Sequence, residues 1–495
     1  MIQIFLEEQM FYNEVYDEVK LFFNENEICF TDELPPDEKG GIFLYCKVDS
    51  EAAEGPVFRI NLEWDNSSYN ADIPIESKNI GEMETEKVRE LKRQIKRHIY
   101  LALVKCTGRE LPWGMLTGIR PAKIARELLE EGKTEEEILS TLTRFYMLSE
   151  EKARLAYGVA LTESKIINRT GKDMISVYIG IPFCPSRCLY CSFTSNPIAK
   201  CSHLVSKYLD ALKSEINGVQ RIIEEKSYKI QSLYIGGGTP TSIDTVSLEG
   251  LLEHINKTFN MTWIEEFTLE AGRPDSISKD KLEAAKNYGV NRISINPQTM
   301  NNRTLEIIGR SHTAEDIIEA FGLAREAGFD CINMDIIVGL PGENLLMFEH
   351  TLKEIGKLNP ENLTVHTMAI KRASRLNEHR SEYNLISGEE AEQMVNMARE
   401  FANSIGMHPY YLYRQKNILG NLENIGYCKP GYESIYNIQI MEEKQTIIAL
   451  GAGAVTKVVY PSDNRIERAF NVKNIEEYIN RLDEMIERKK ALLNP

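Results

Sequence analysis

The chain contains no run of about 18 consecutive apolar residues, so no membrane-spanning helix is expected. Its opening, MIQIFLEEQMFYNEVYDEV, lacks a basic segment followed by an apolar one, and no secretory signal is expected there. It lacks an excess of positive charge: 58 Lys and Arg face 74 Asp and Glu, a formal net charge of -16. That balance argues against a nucleic-acid partner held by bulk electrostatics. Any anionic ligand must instead be gripped by a local group of Arg and Lys. Cysteine is sparse, and nine in 495 residues of an expected cytoplasmic protein do not read as a disulfide framework. What is present is ordinary globular composition, 42% hydrophobic and 27% charged, at a length that suits two or three domains.

Six of the cysteines, Cys29, Cys46, Cys106, Cys201, Cys331 and Cys428, are scattered, and most of them read as small buried apolar side chains. The other three, Cys184, Cys188 and Cys191, fall within GIPFCPSRCLYCSFTS. Structural zinc normally takes four ligands in two spaced pairs, and His203 alone supplies no second pair. A redox pair uses CxxC and gains nothing from Cys184. A cubane iron–sulfur cluster has four irons, so three thiolates leave one iron open to a substrate or cofactor. The thiols follow an apolar strand, MISVYIGI (174–181), and Pro182 and Pro185 keep them on a loop. Cys201 is expected to stay apart from the three, beyond an outward loop, SFTSNPIAK.

Downstream, strand and helix patterns alternate. QSLYIGGG (231–238), EEFTLEAG (265–272), VNRISINPQ (290–298), FDCINMDIIVGLP (329–341) and NLTVHTMAI (362–370) read as strands. Helical patterns cover 204–225, 247–259, 278–288, 314–327 and 345–358, with Gly289 and Gly328 as C-cap glycines. The fold class expected is α/β, a partial (β/α)6 barrel over residues 171–405. An α+β accessory domain is expected over 1–170. It contains strands in KGGIFLYCKVDS and VFRINLEWDN, a helix at 85–107, more helices at 134–161 and a helix entered near Pro121. A C-terminal extension, 406–495, contains IIALGAGAVTKV, which reads equally as a close-packed strand and turn or as a backbone wall of a pocket.

The unusual residues collect where barrel strands end. Gly237, Gly238 and Thr239 in GGGTPT suit close backbone approach to a ligand, or a tight turn. Glu270 ends the third strand, and an acid in a barrel mouth is costly unless bonded. Gln298 and Arg310 follow in INPQ and IGRSH, and the phase of CINMDIIV leaves the direction of Asp335 open. Lys371, Arg372 and Arg375 in AIKRASR, after the sixth strand, suit a multi-carboxylate ligand or are solvated charges.

Cys-x3-Cys-x2-Cys after a strand, with Tyr190 between the last two thiols, resembles the radical S-adenosylmethionine (SAM) signature. YIGGGTPT, LEAGRPD, RISINPQTM, IGRSHTAED and NMDIIVGLPGE resemble the oxygen-independent coproporphyrinogen III oxidase family over 174 to about 375. LPWGMLTGIRPAKIA and AIKRASRLNEHR are similar to its coproporphyrinogen dehydrogenase (HemZ-type) subtype. The resemblance implies a 4Fe-4S cluster on Cys184, Cys188 and Cys191, and one or two molecules of SAM. It implies that Tyr178 lies by the cluster and SAM, and that Tyr178 and Glu270 serve catalysis. It implies that Tyr190, Gly237, Gly238, Thr239, Glu270, Gln298, Arg310 and Asp335 bind SAM. The implied substrate is coproporphyrinogen III, two of whose propionates become vinyls. The implied electron donor is of the flavodoxin or ferredoxin class. SINPQ and EAGRPD depart from the commoner family pattern, which weakens any transfer of substrate contacts. A haem chaperone without oxidase activity and a radical SAM methyltransferase acting on haem stand as alternatives.

Overall fold

In a computed structural model the chain divides into two compact units, Met1–Tyr157 and Gly158–Pro495. The structure describes all residues except 33–40, 53–54, 78–79, 81–82, 119, 194, 372, 416, 461–464 and 494–495.

The first unit is α+β. Strands β1 (Ile2–Leu6), β2 (Ile28–Thr31), β3 (Ile42–Asp49), β4 (Val57–Trp64) and β5 (Ser67–Pro74) pair in the order β2-β1-β3-β4-β5. Period two buries Ile2, Ile4 and Leu6 of β1, and Ile60 and Leu62 of β4, on one core. The helix Thr85–Thr107 adds Leu91, Ile95, Ile99 and Leu103 to that core at four-residue spacing, and Gly108 closes it in the left-handed region.

In the second unit six strands lie side by side in chain order: β6 (Met174–Ile181), β7 (Lys229–Gly237), β8 (Glu266–Glu270), β9 (Arg292–Ser294), β10 (Ile332–Val338) and β11 (Asn362–Thr367). All are parallel. The helices Ile198–Glu225, Thr245–Thr258, Lys279–Asn287, Ala314–Glu326 and Leu345–Leu358 connect them. Strand interiors are buried almost without alternation, as in a sheet covered on both faces. The first of these helices starts earlier than residue 204. Asn196–Pro197 pairs with Phe183–Cys184 and delivers the chain into the helix at Ile198, so Cys201 belongs to its first turn and not to a loop.

The sheet continues beyond residue 405. β12 (His408–Tyr413) and β13 (Asn424–Cys428) extend it past β11, with β13 antiparallel to β11. On the other side β14 (Ile447–Leu450) pairs parallel to β6, followed by β15 (Val455–Tyr460) and β16 (Arg465–Phe470). The eleven-stranded sheet stays open, with β12 and β16 as its edges. The Gly-rich IIALGAGAV segment is thus a strand and turn packed on β6. At Gly451 φ is +96°, and a Cβ there would lie 2.5 Å from the Gly180 carbonyl oxygen. Beneath that turn Glu215 is fully buried and accepts from Tyr478 Oη (2.6 Å), Lys489 Nζ (2.7 Å), the Gly451 amide (2.8 Å) and Asn471 Nδ2 (2.8 Å).

At the start of β8, Glu266 accepts from the amides of Ile435 (2.8 Å) and Tyr436 (3.2 Å) and from Ser434 Oγ (3.0 Å). This carboxylate caps the helix Ile435–Glu442, where the dipole favours negative charge. Tyr436 then stacks on Tyr234 at 4.3 Å and on Tyr178 at 6.2 Å, filling the interior with aromatic rings.

Candidate active site

The inner residues at the C-terminal ends of the six parallel strands line one cavity of about 450 Å3. Cys184, Cys188, Tyr190, Cys191, Gly237, Gly238, Thr239, Glu270, Gln298, Arg310, Asp335 and Lys371 all reach it. Tyr178 does not line it: its ring stacks on Tyr234 of β7 and on Tyr436, each at 6.2 Å. Arg375 is exposed on the first turn of the helix Arg375–Glu378 and is also outside the lining. Arg372 lies outside the described residues.

The thiol loop is held by its backbone. Asn196 donates its amide to Pro182 O at 2.8 Å, Leu189 to Ile308 O at 2.9 Å, and Leu376 to Leu189 O at 3.0 Å. Two donors point at sulfur: Thr239 Oγ1 toward Cys184 Sγ at 3.5 Å, and Arg273 Nη1 toward Cys188 Sγ at 3.7 Å. Asp275 grips the other edge of the Arg273 guanidinium at 2.9 and 2.7 Å, fixing its direction. Burial pushes the Cys184 thiol up to about 11, with Thr239 opposing, and burial also raises Cys191. Gly238 carries no side chain for a physical reason: a Cβ would lie 2.5 Å from Phe183 O and 3.0 Å from Cys184 Sγ. Three thiols with donors aimed at two of them, and a wall that excludes side-chain atoms, suit a metal–thiolate cluster.

Beyond the thiols the lining is polar. Tyr234 Oη donates to Glu270 Oε1 at 2.5 Å. Burial lifts Glu270 to about 7; the Tyr234 hydrogen bond opposes this and the Asp335 charge adds to it. Asp335 is driven up by burial, but His366, 3.6 Å away, and Asn333 Nδ2 at 2.8 Å outweigh that and hold it below its ordinary range. Arg310 Nη1 donates to Gly272 O at 3.1 Å and Asn296 O at 2.5 Å, and Nη2 to Tyr190 Oη at 3.4 Å. Gln298 sits at φ +67°, its amide donating to Asp335 O at 2.9 Å. A left-handed non-glycine residue costs about 1–3 kcal/mol, and such strain clusters at ligand sites.

Sequence reasoning missed Arg273, Asn296, His366 and Tyr413 in this lining, and Tyr234 behind it. Period two carried a signal for some. Tyr234 shares a face with Gly236 and Gly238, and Asn333 and Ile337 share the face of Asp335, which settles that Asp335 points inward. His366 occupies the same phase as Met368 on β11 and its exit.

Over residues 178–355 the sequence matches the radical SAM superfamily. It is 39% identical over 475 residues, 95% of this chain and 93% of the relative, to the oxygen-independent coproporphyrinogen-III oxidase-like protein HemZ of Bacillus subtilis (strain 168). The chain belongs to this HemZ family of radical SAM proteins. Membership implies a 4Fe-4S cluster and SAM, which the cavity chemistry suits. The heme chaperone HemW of the same organism is 32% identical over 284 residues, 57% of this chain and 70% of that relative. Among solved structures, coproporphyrinogen III oxidase (HemN) from Escherichia coli, described as a radical SAM enzyme, shares the fold. Its TM-score is 0.52 at 23% identity, covering 66% of this chain and 73% of that one. Among the described residues no helix of this HemZ-family protein is long and apolar enough to cross a membrane.

Proposed function

We propose that the protein converts coproporphyrinogen III to protoporphyrinogen IX by anaerobic oxidative decarboxylation of two propionates. The supporting observation is a single cavity that runs from the three thiols past Glu270 and Asp335 to Lys371. In this reading Cys184, Cys188 and Cys191 hold the cluster, leaving one iron for SAM. When bound, the cluster and SAM supply a 5′-deoxyadenosyl radical that takes a hydrogen atom from the substrate. Each propionate then gives up carbon dioxide and one electron to an acceptor outside the chain, and becomes a vinyl.

The chain's own groups do the positioning. Gly237, Gly238 and Thr239 offer backbone at close range, while Tyr190, Glu270, Gln298, Arg310 and Asp335 orient SAM. Tyr178 serves through its stack, which stiffens β6 and β7 beneath the site. Lys371 takes a propionate. Burial lowers its affinity for the proton, and a carboxylate partner restores the charged form. Arg372 and Arg375 are proposed as further propionate contacts on the strength of the sequence alone. The proposed setting is the cytoplasm, with a flavodoxin- or ferredoxin-class donor and no nucleic-acid partner. Under this reading Lys371→Ala leaves SAM cleavage measurable while vinyl product falls at least about tenfold, the loss expected for ~1.4 kcal/mol. Wild-type product yield would move the grip elsewhere. Similarity to HemW supports the second reading, a haem-binding chaperone, in which haem binds and no vinyl product forms.

A further inference from the structure

At the opposite end of the barrel strands, three side chains of different chemistry converge: His408 at the start of β12, Cys428 at the end of β13, and Glu433 on the turn that follows. Their ligand atoms all lie within 4.8 Å of one another. His408 Nε2 stands 3.1 Å from Glu433 Oε1 and 3.8 Å from Cys428 Sγ. For tetrahedral zinc, bond lengths of about 2.0–2.3 Å set nitrogen–oxygen and nitrogen–sulfur edges of about 3.4 and 3.6 Å. These two separations differ from those by a few tenths of an ångström, and the sulfur–oxygen edge is at most 4.8 Å, so small side-chain rotations would close the set on an ion. We propose that His408, Cys428 and Glu433 form a second metal site, distinct from the thiol loop, for a divalent ion of zinc character.

The backbone presets these ligands. His408 and Cys428 are register partners across the antiparallel β12–β13 pair, so both project from the same face. Cys428 is in turn the register partner of Asn362, the first residue of β11. The turn carrying Glu433 is pinned by Arg292 Nη2 (2.9 Å) and Asn362 Nδ2 (2.8 Å), both donating to Tyr432 O. The Lys429 amide donates to Glu361 O at 2.9 Å. Nothing needs to fold anew for an ion to enter.

Donor chemistry selects the ion. One imidazole, one thiolate and one carboxylate form a borderline-soft set, which suits zinc over magnesium or calcium. A thiolate and a carboxylate also neutralise a divalent cation, so a half-buried ion carries no net charge into the protein. Three protein ligands leave the fourth position to water. Cys428 is fully buried, whereas the His408 and Glu433 side chains are 35% and 19% exposed, leaving a path for entry from solvent. The six residues of β11, roughly 15–20 Å of strand, separate this site from the candidate active site. The ion would therefore tie the β12–β13 edge to the turn that launches the helix Ile435–Glu442, and would not meet the substrate.

The test uses anaerobically purified, cluster-loaded protein incubated with two equivalents of zinc chloride and then gel-filtered. Wild type should retain about one zinc per chain with iron and sulfide unchanged. His408→Ala and Glu433→Ala should each lower retained zinc at least about tenfold while keeping iron and elution volume. The triple variant C184A/C188A/C191A should keep its zinc, which separates this site from zinc misloaded onto the cluster cysteines. X-ray absorption at the zinc edge should show one sulfur among nitrogen and oxygen neighbours. No zinc in wild type, equal zinc in His408→Ala and Glu433→Ala, or loss of zinc in the triple cysteine variant would each overturn the assignment.

Discussion

Glu270 shows how much a single residue's surroundings decide. Burial lifts its carboxyl from an ordinary 4.5 to about 7. Between those values the folded chain keeps a proton that the unfolded chain has released, so stability falls as pH rises through that window. Glu270→Gln cannot ionise and removes this component. In thermal melts without SAM, the variant's Tm advantage over wild type should grow from about pH 5 to about pH 7.5 and then level off. A difference independent of pH would mean that the carboxyl does not titrate there. The thiols make a second residue-scale prediction. Cys184→Ala, Cys188→Ala and Cys191→Ala should each abolish the cluster absorbance and SAM cleavage. Cys201→Ala should leave both near wild type, since that thiol sits on the helix Ile198–Glu225 and does not line the cavity. Loss of the cluster in Cys201→Ala would contradict a three-thiol site.

Elements were legible in proportion to how much of their own burial their sequence encodes. The helix Thr85–Thr107 is amphipathic along its whole length and was readable to its ends. Barrel strands were readable because a sheet covered on both faces demands apolar runs, and their crossover helices because their apolar spacing and closing glycines mark them. β5 was not: SSYNADIP buries only Ile73, and its place depends on register with β4. The site followed the same rule. Cysteines and glycines announce themselves by spacing, whereas Arg273 and His366 acquire meaning only when the loop and β11 bring them to the cavity. The two readings of IIALGAGAVTKV resolve toward packing, because the turn at Gly451 sits over buried Glu215 and not on the cavity. That cluster is testable. Lys489→Met leaves Glu215 buried without its cation and should cost about 3–5 kcal/mol in denaturant unfolding. Adding Glu215→Gln should recover most of that loss. Additive losses in the double variant would show that the pair is not coupled.

At the scale of the whole molecule, the chain has a net charge of -16, and the substrate proposed for it carries four propionates. Long-range repulsion opposes that encounter, so recognition must be local and confined to the cavity mouth. Relatives of the chain include some named as oxidases and some named as heme chaperones, and a fold shared with HemN does not by itself choose between them. The deciding measurement is anaerobic incubation of cluster-reconstituted protein with SAM, a low-potential reductant and coproporphyrinogen III, with haem titrated into the same preparation. Protoporphyrinogen IX formed together with 5′-deoxyadenosine, and abolished in Cys188→Ala, is the expected result. Stoichiometric haem binding with SAM cleavage but no vinyl product would contradict the oxidase reading and establish the chaperone in its place.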